Sequence, residues 1–540
     1  MAARKAPSPL PFSSFGWSLT GALLIALSLP PLGLYPLAWV GLVPLLSRWS
    51  VREPSVDYTR ELYALLLTTS CCVGFWLLFN PDPSMAAMGG VSLFLVPIPL
   101  TLAFLLAGIV KQKAGLIPGL IALALNILAT EWLTLTFSVS IPWLVLGHTQ
   151  VEGTEFIQIA DLGGVLLLSA WVLALNGTAF MALPRSSRPG DNYGERGASI
   201  AIFTALVALP VAYGSIRTAQ SDVPAGYTRV GIVQPGVPPG EWDAQDAVTK
   251  VDYLAHLSDE LLERWRPTQL DSVSGAATTV FATRGEREVG LLIWPQTSLP
   301  FMGTEAGERQ LYDRLSRWTS RRGVSLLTGA STGTARVDRS EGQPRADDLA
   351  NSAVLFRPER PIVRYDQMRR VRVADVRAAA GSQRVVLDAG GAKIGTAVGF
   401  ESLFGDHLRR FTADGANLIV VLSRNDIWGR TAGLYQHLQF TRLRAIESRR
   451  AVVLSTVSGV SALIQPSGTI EEIAGWMDQD VEPIEVPTFR GETFYVRHGD
   501  WVGLWALVLS LVFNAFVCIA ALFFPEALAE KDAFGRRVLA

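Results

Sequence analysis

The chain has 540 residues, too many for one ordinary hydrophobic core, so two or more domains are expected. Apolar residues make up 49% of it, charged residues only 18%, and mean hydropathy is +0.29, which excludes an ordinary soluble enzyme and indicates a membrane protein. A net charge of −1 without long acidic or basic blocks argues against nucleic acid as a partner, and the three cysteines, Cys71, Cys72 and Cys518, all lie in apolar stretches, which argues against disulfides and thiol-bound metal.

A bilayer-spanning helix needs about 20 mostly apolar residues. In chain order the candidates are residues 17–30, 33–46, 62–79, 91–110, 116–137, 160–183 and 200–215, with one more at 501–524 after a long polar interval. The first two are short and separated by Pro30, Pro31 and Gly33; they read as a hairpin of spans or one broken helix, and the charge pattern favours the hairpin. With the amino terminus inside, Arg4, Lys5, Arg48, Arg52, Arg60, Lys111, Lys113, Arg185, Arg188 and Arg196 fall on inner loops, as do Lys531, Arg536 and Arg537 after the last span. The outer loops at 80–90 and 138–158 carry no Lys or Arg, so the positive-inside rule is obeyed and the interval 216–500 is expected outside. The amino-terminal segment lacks a small-residue cleavage site and reads as retained. The expected division is therefore a membrane domain over 1–215 with about seven spans, an outer domain over 216–500, and a last span with a cytoplasmic tail over 501–540.

The outer interval alternates β-rich runs with helical patterns. Strands are expected at 228–234, 290–294, 324–327, 352–356, 362–365, 394–400, 418–422, 452–454 and 461–465, and helices around 244–264, 308–321 and 434–450. This is the pattern of an α/β domain with a buried sheet. The segments 272–288 and 335–348 are rich in Gly, Ser and Arg without periodicity and read as surface loops. The stretch Lys393 to Arg409 stands out, because an apolar run gives way at Gly399-Phe400-Glu401 to an amphipathic helical pattern. Such strand-to-helix turns commonly hold a nucleophile, and here the place holds glycine.

Ordered motifs carry a resemblance. LLIWPQTSLPF (291–301), NSAVLF with IVRYDQ (351–356, 362–367), IGTAVGFE (394–401), SRNDIWG (423–429), YQHLQFTRLRAIESRR (435–450) and STVSGVSALIQPSG (455–468) together resemble the nitrilase-like, or carbon–nitrogen hydrolase, domain of the apolipoprotein N-acyltransferase family. PLAWVGLVPLL (36–46), IPWLVLGHTQ (141–150) and IADLGGVLLLS (159–169) resemble its membrane signatures. The resemblance implies an α/β fold class: a multi-span α-helical membrane domain plus a four-layer α-β-β-α domain on the outer face of the bacterial inner membrane. It implies transfer of an acyl chain from phospholipid to the amino-terminal cysteine of a diacylglyceryl lipoprotein, with no cofactor or metal. In that family a Cys thiolate attacks the phospholipid ester to form a thioester, a Glu moves protons and a Lys steadies the oxyanion.

Carried over residue by residue, the catalytic positions fall on Gln296 in Trp294-Pro295-Gln296-Thr297, Gln367 in Tyr365-Asp366-Gln367, and Gly399 in Gly399-Phe400-Glu401. An amide is no general base near neutral pH, a second amide carries no charge for an oxyanion, and glycine offers no nucleophile. The expected pocket adds Phe400, Glu401, Asn425 and Trp428, with Asp375 where the family has a further acid; the run Arg369 to Val373 departs from the apolar, proline-containing loop expected there. Two functions compete: an N-acyltransferase family protein impaired or inactive in this copy, and a silent lipid- or lipoprotein-binding paralogue or partner subunit. Hydrolysis of a small amide, as in soluble nitrilases, needs the same three residues.

Each position also has a plainer reading. Gly399 fits a tight strand end needing positive φ. Ser402, Thr396 and Ser423 are neighbouring hydroxyls, each lacking an evident base and oxyanion donor. Glu401 orients a ligand or is a buried carboxylate bonded to backbone. His437 reads as a helix residue satisfied at a sheet edge or domain interface rather than a base, and Asn425-Asp426 as a turn capping a helix or a pocket wall. Arg442, Arg444, Arg449 and Arg450 read as a solvated or headgroup-facing stripe. Trp242, Trp428 and Trp501 suit lipid-facing surfaces and core packing equally.

Overall fold

The structure, a computed structural model, describes residues 14–80, 83–137, 142–183, 193–220, 223–264, 289–301, 305–333, 349–371 and 378–523. Asp375, Arg372, the loops read at 272–288 and 335–348, and the terminal basic residues lie outside the described residues. The chain forms two compact units, 1–220 with 498–540, and 221–497.

In the first unit α1 (Ser14–Leu27) is followed by a reversal through Gly33, at φ +62°, and a short 3₁₀ helix over Tyr35–Trp39, before the nine-residue α2 (Val43–Val51). The expected second span at 33–46 is therefore not one helix. Gly33, Pro36, Gly41 and Pro44 break it, since glycine favours turns and proline withholds a backbone donor. The chain continues as α3 (Val56–Gly74), α4 (Pro83–Leu95), α5 (Pro97–Ala114), α6 (Leu116–Phe137), α7 (Ala160–Ala182) and α8 (Tyr193–Ala219). Among the described residues six helical segments are long and apolar enough to cross a membrane, from Val56–Phe79 to Trp501–Phe523.

These helices invert the usual distribution of polarity. Leu102, Leu106 and Ile109 on α5 are exposed, as lipid-facing residues are, while polar side chains are buried and paired. Asn176 Nδ2 donates to the Ala38 carbonyl at 2.7 Å and its Oδ1 accepts the Leu42 N–H at 2.7 Å, fixing the reversal before α2. Asp161 accepts the Tyr213 hydroxyl at 2.7 Å and pairs with Arg217 at 3.1 Å, tying α7 to α8. Helical geometry in α7 breaks at Gly163-Gly164, where Gly164 has φ +66°.

The second unit holds two sheets. The first has the order β13-β1-β2-β3-β4-β5, from β1 (Gly226–Gln234), β2 (Leu291–Leu299), β3 (Ser325–Gly333), β4 (Leu349–Arg357), β5 (Arg360–Asp366) and β13 (Asp480–Thr488), with the two-residue β6 (Ala378–Ala379) beside β4. The second has the order β12-β11-β10-β9-β8-β7, from β7 (Leu387–Ala389), β8 (Ala392–Val398), β9 (Leu418–Ser423), β10 (Val452–Thr456), β11 (Ser461–Ile464) and β12 (Ile470–Ala474). Each sheet has a parallel centre, β1-β2-β3 in one and β8-β9-β10 in the other, flanked by antiparallel strands.

Period-2 alternation along β2 builds the layers. Leu291 and Ile293 enter the core shared with Ile394, Val398, Ile419 and Val453 of the second sheet. Leu292 and Trp294 face a second core with Leu254 and Leu257 of α10 (Ala247–Arg264) and Leu311 and Leu315 of α11 (Glu305–Arg322). Beyond the second sheet, α12 (Gly405–Ala413) and α13 (Ala432–Ser448) contribute Phe411, Leu434 and Leu438. The unit is thus a four-layer α-β-β-α domain. The helix expected over 244–264 is α10, and a separate short helix, α9 (Pro239–Ala244), precedes it. A short helix, α14 (Phe494–His498), precedes α15 (Trp501–Phe523), which returns to the first unit.

The arginines of α13 and its end are not a surface stripe. Arg442, Arg444, Arg449 and Arg450 are all buried, and Arg450 donates to the carbonyls of Ala416, Ser448, Arg449 and Gly491. Helical spacing placed them together, but the ends of neighbouring strands and loops present bare carbonyls there, which guanidinium groups satisfy. Trp242 and Trp428 are core residues at 0% and 2% exposure, and Trp501 is part-buried with its indole N–H bonded to the Leu162 carbonyl.

Candidate active site

Three chain segments meet where the two sheets face each other. β2 delivers Gln296, the end of β5 delivers Gln367, and the turn after β8 delivers Gly399. Gly399 has φ +61°, the left-handed region that its sequence context anticipated. A Cβ built on it would lie 3.4 Å from Gln296 Oε1, 3.6 Å from Gln296 Nε2 and 3.7 Å from Gln367 Nε2. The three positions therefore surround one point, and the space for a side chain at 399 is bounded by two neutral amides.

Glu401 holds this geometry. It is fully buried, and its carboxylate accepts the Met368 and Arg369 N–H groups at 2.7 and 2.9 Å, the Val398 N–H at 2.9 Å, and the Tyr365 hydroxyl at 2.9 and 3.0 Å. Met368 and Arg369 follow Gln367, and Val398 precedes Gly399, so one carboxylate pins the two segments together. Of the two readings open for Glu401, the geometry is that of the backbone-bonded carboxylate. His407 Nε2 lies 3.0 Å from the Tyr365 hydroxyl, and burial, then the neighbouring Glu401 charge, push that phenol's pKa far above its ordinary value.

Gln367 is committed to the framework. Its Oε1 accepts from Asn351 Nδ2 at 2.9 Å, and its Nε2 donates to the carbonyls of Arg369 and Val398, each at 3.2 Å. Gln296 differs, since its side chain makes no hydrogen bond among the described residues although only 8% of the residue is exposed. Its neighbour Thr297 has φ +62°, strained for a β-branched residue, and is held by hydrogen bonds to its Oγ1 from Trp242 Nε1 at 3.2 Å and Arg424 Nη1 at 2.9 Å. Arg424 in turn pairs with Asp243 at 2.7 Å and Asp426 at 3.2 Å. Burial opposes its charge, and the two carboxylates more than offset this, so its pKa stands above the ordinary value; burial raises that of Asp426.

Phe400, Trp428 and His437 pack together, with Phe400 5.0 Å from Trp428 and 4.8 Å from His437 between ring centroids. Behind them Ser402 Oγ lies 2.9 Å from His437 Nε2 and accepts from Thr441 Oγ1 at 3.0 Å, while Asn425 Nδ2 lies 3.4 Å from His437 Nδ1. This has the outline of a hydroxyl and its base. Both Ser402 and His437 are 0% exposed, however, and burial lowers the His437 pKa to about 3, so the ring is a neutral, weak base. Thr396 and Ser423 are buried too. Asn425 and Asp426 open a short 3₁₀ helix over Asn425–Trp428 without a side-chain cap; Asp426 binds Arg424 instead.

Sequence reasoning missed Asn351, Tyr365, Arg424 and Thr297 as parts of this site. All four stand inside quoted motifs, but pairings between neighbouring strands, such as Asn351 with Gln367, or across sheets, such as Thr297 with Arg424, leave no local signal. Asp375 lies outside the described residues. Among the described residues no group of His, Cys, Asp and Glu is suited to hold a metal ion.

Apolar helices and a four-layer domain whose site sits at the ends of β2, β5 and β8 define a membrane protein with a nitrilase-like α/β domain. Residues 21–178 match the family model described as the apolipoprotein N-acyltransferase N-terminal domain, and residues 229–486 match that of carbon-nitrogen hydrolase. A Chlorobaculum tepidum protein named apolipoprotein N-acyltransferase is 26% identical, with 92% of this chain and 95% of the relative covered. One of the same name from Geobacter metallireducens is 25% identical, covering 92% and 94%. Among solved structures, Saccharomyces cerevisiae Nit3, of the nitrilase superfamily, aligns over 49% of this chain and 92% of its own at 13% identity and a TM-score of 0.37. By the two family models it matches, in that order, and by relatives similar over 92% of its length, the chain resembles the apolipoprotein N-acyltransferases.

Proposed function

We propose that this chain is an apolipoprotein N-acyltransferase family protein that engages the family's substrates, phospholipid and a diacylglyceryl lipoprotein, and does not form the thioester intermediate. The observation that carries this reading is the convergence of Gln296, Gln367 and Gly399 on one point, where the glycine's absent Cβ would contact both amides at 3.4–3.7 Å. There is room for a Cβ at 399, yet nothing there attacks, accepts a proton or stabilises an oxyanion. Members of a catalytic unit act together, and losing all three leaves no route through the thioester. The proposed arrangement is a membrane domain over 1–215, a nitrilase-like domain over 216–500 on the outer face of the inner membrane, and a last span within 501–540, supported by the basic residues assigned to inner loops.

The test uses purified full-length protein with phospholipid and a diacylglyceryl peptide, with mass spectrometry of peptide and protein. The expected result is no N-acylated peptide and no acylated protein, and a hydroxylamine-sensitive acyl adduct once Gln296→Glu, Gln367→Lys and Gly399→Cys are combined. N-acylated peptide from the unaltered chain would overturn the reading, and its disappearance in Ser402→Ala would assign the chemistry to the Ser402–His437 pair.

A further inference from the structure

The membrane unit contains a carboxyl group that the fold leaves partly unsatisfied. Glu131, on the fifth turn of α6, is 4% exposed. Its Oε1 accepts the Leu146 N–H at 2.8 Å and the Ser169 hydroxyl also faces the carboxyl, but Oε2 has no hydrogen-bond partner among the described residues. An acidic side chain within a spanning helix is costly to bury, and an unmet oxygen adds to that cost, so such groups mark functional sites.

The same side chain lines a cavity of about 80 Å³ among α1, α3, α5 and α6. Ile25, Leu65, Phe104 and Ile127 make its walls apolar. The other polar side chain, Thr69, already donates its hydroxyl to the Leu65 carbonyl of its own helix at 3.1 Å. The cavity therefore has an apolar body and one hydrogen-bonding end. A buried water needs two to four polar partners, and Glu131 Oε2 with the accepting lone pairs of Thr69 reaches only the low end of that range. A hydroxyl needs only one and can donate or accept, so it satisfies Oε2 whichever protonation state the carboxyl holds.

We propose that this cavity is a binding site for an aliphatic alcohol, its hydroxyl on Glu131 Oε2 and its alkyl chain against the apolar walls. The volume suits the hydroxyl-bearing end of a single chain, since an engineered apolar cavity of roughly 150 Å³ holds one benzene. This site is independent of the acyl-transfer reading.

The test places full-length protein in phosphatidylethanolamine–phosphatidylglycerol nanodiscs with a diazirine-bearing dodecanol, and maps photolabelled peptides by mass spectrometry. Labelling should saturate and fall on α1, α3, α5 and α6. At equal membrane mole fraction, 1-octanol should displace the probe about tenfold better than n-octane, the ratio expected for one hydrogen bond to a carboxyl. Ala22→Phe, which fills the wall and leaves Glu131 in place, should abolish the labelling. Labelling that never saturates, or equal displacement by octane, would show a nonspecific lipid contact and overturn the proposal. The alcohol–alkane comparison is made on the unaltered chain, so it stands even if Ala22→Phe does not fold.

Discussion

Gly399 combines a backbone that suits glycine with room for a Cβ. Contacts of 3.4–3.7 Å around the missing Cβ are ordinary van der Waals distances, so packing admits a Cβ there. The left-handed backbone at φ +61° does oppose it, at about 1–2 kcal/mol. Gly399→Cys should therefore fold, with denaturant unfolding showing a loss of that size; a much larger loss would mean the site has collapsed around the glycine. His437 gives a second residue-level expectation. Its pKa is about 6.5 when exposed and about 3 in the folded chain, so the unfolded state binds the extra proton. The stabilisation is complete above pH 6.5 and is lost as pH falls from there toward 3, by about 1.4 kcal/mol per unit. Unfolding measured from pH 7 to 4 should show a shallower acid loss in His437→Gln than in the unaltered chain.

At the scale of elements, α13 is the helix whose role reversed. An exposed stripe of arginine would lose little on truncation and would respond to anionic lipid. Buried Arg450, with donors on Ala416 and Gly491 at 2.9 and 2.6 Å, predicts the opposite. Arg450→Ala should cost about 3 kcal/mol by leaving buried carbonyls unmet, and the loss should be the same with zwitterionic and anionic lipid. The strands fared differently. Runs such as 418–422 and 452–454 were legible because parallel central strands are buried on both faces and read as continuous apolar stretches. β12, with Glu471 and Glu472 on an edge, and β13, interrupted by Pro483 and Pro487, carry no such signal and were missed.

At the scale of the molecule, α15 returns to the first unit after the whole α/β domain has intervened. Asn126 on α6 receives it: Asn126 Oδ1 accepts from Ser510 Oγ at 2.7 Å and Asn514 Nδ2 at 2.9 Å, while its own Nδ2 donates to the Ala103 carbonyl of α5 at 3.2 Å. Interhelical hydrogen bonds in membranes are worth about 0.6–2 kcal/mol each. Asn126→Ala should lower thermal stability in detergent and make the last helix more open to proteolysis. Unchanged protease resistance would mean that apolar packing alone seats it.

Local chemistry made much of this protein legible. Apolar runs of bilayer length identified its membrane nature, strand and helix periods marked the α/β domain, and the WPQ, YDQ and GFE motifs located the residues that meet at one point. These signals survive in sequence because each is written within one helix, strand or turn. Tertiary structure decided what depends on distant segments: that Glu401 is occupied in joining the β5 and β8 ends, that the α13 arginines face inward to bare carbonyls, and that Glu131 meets an apolar cavity with one oxygen unmet. A buried polar group is defined by its partners, and those partners lie tens or hundreds of residues away, where no local pattern reaches.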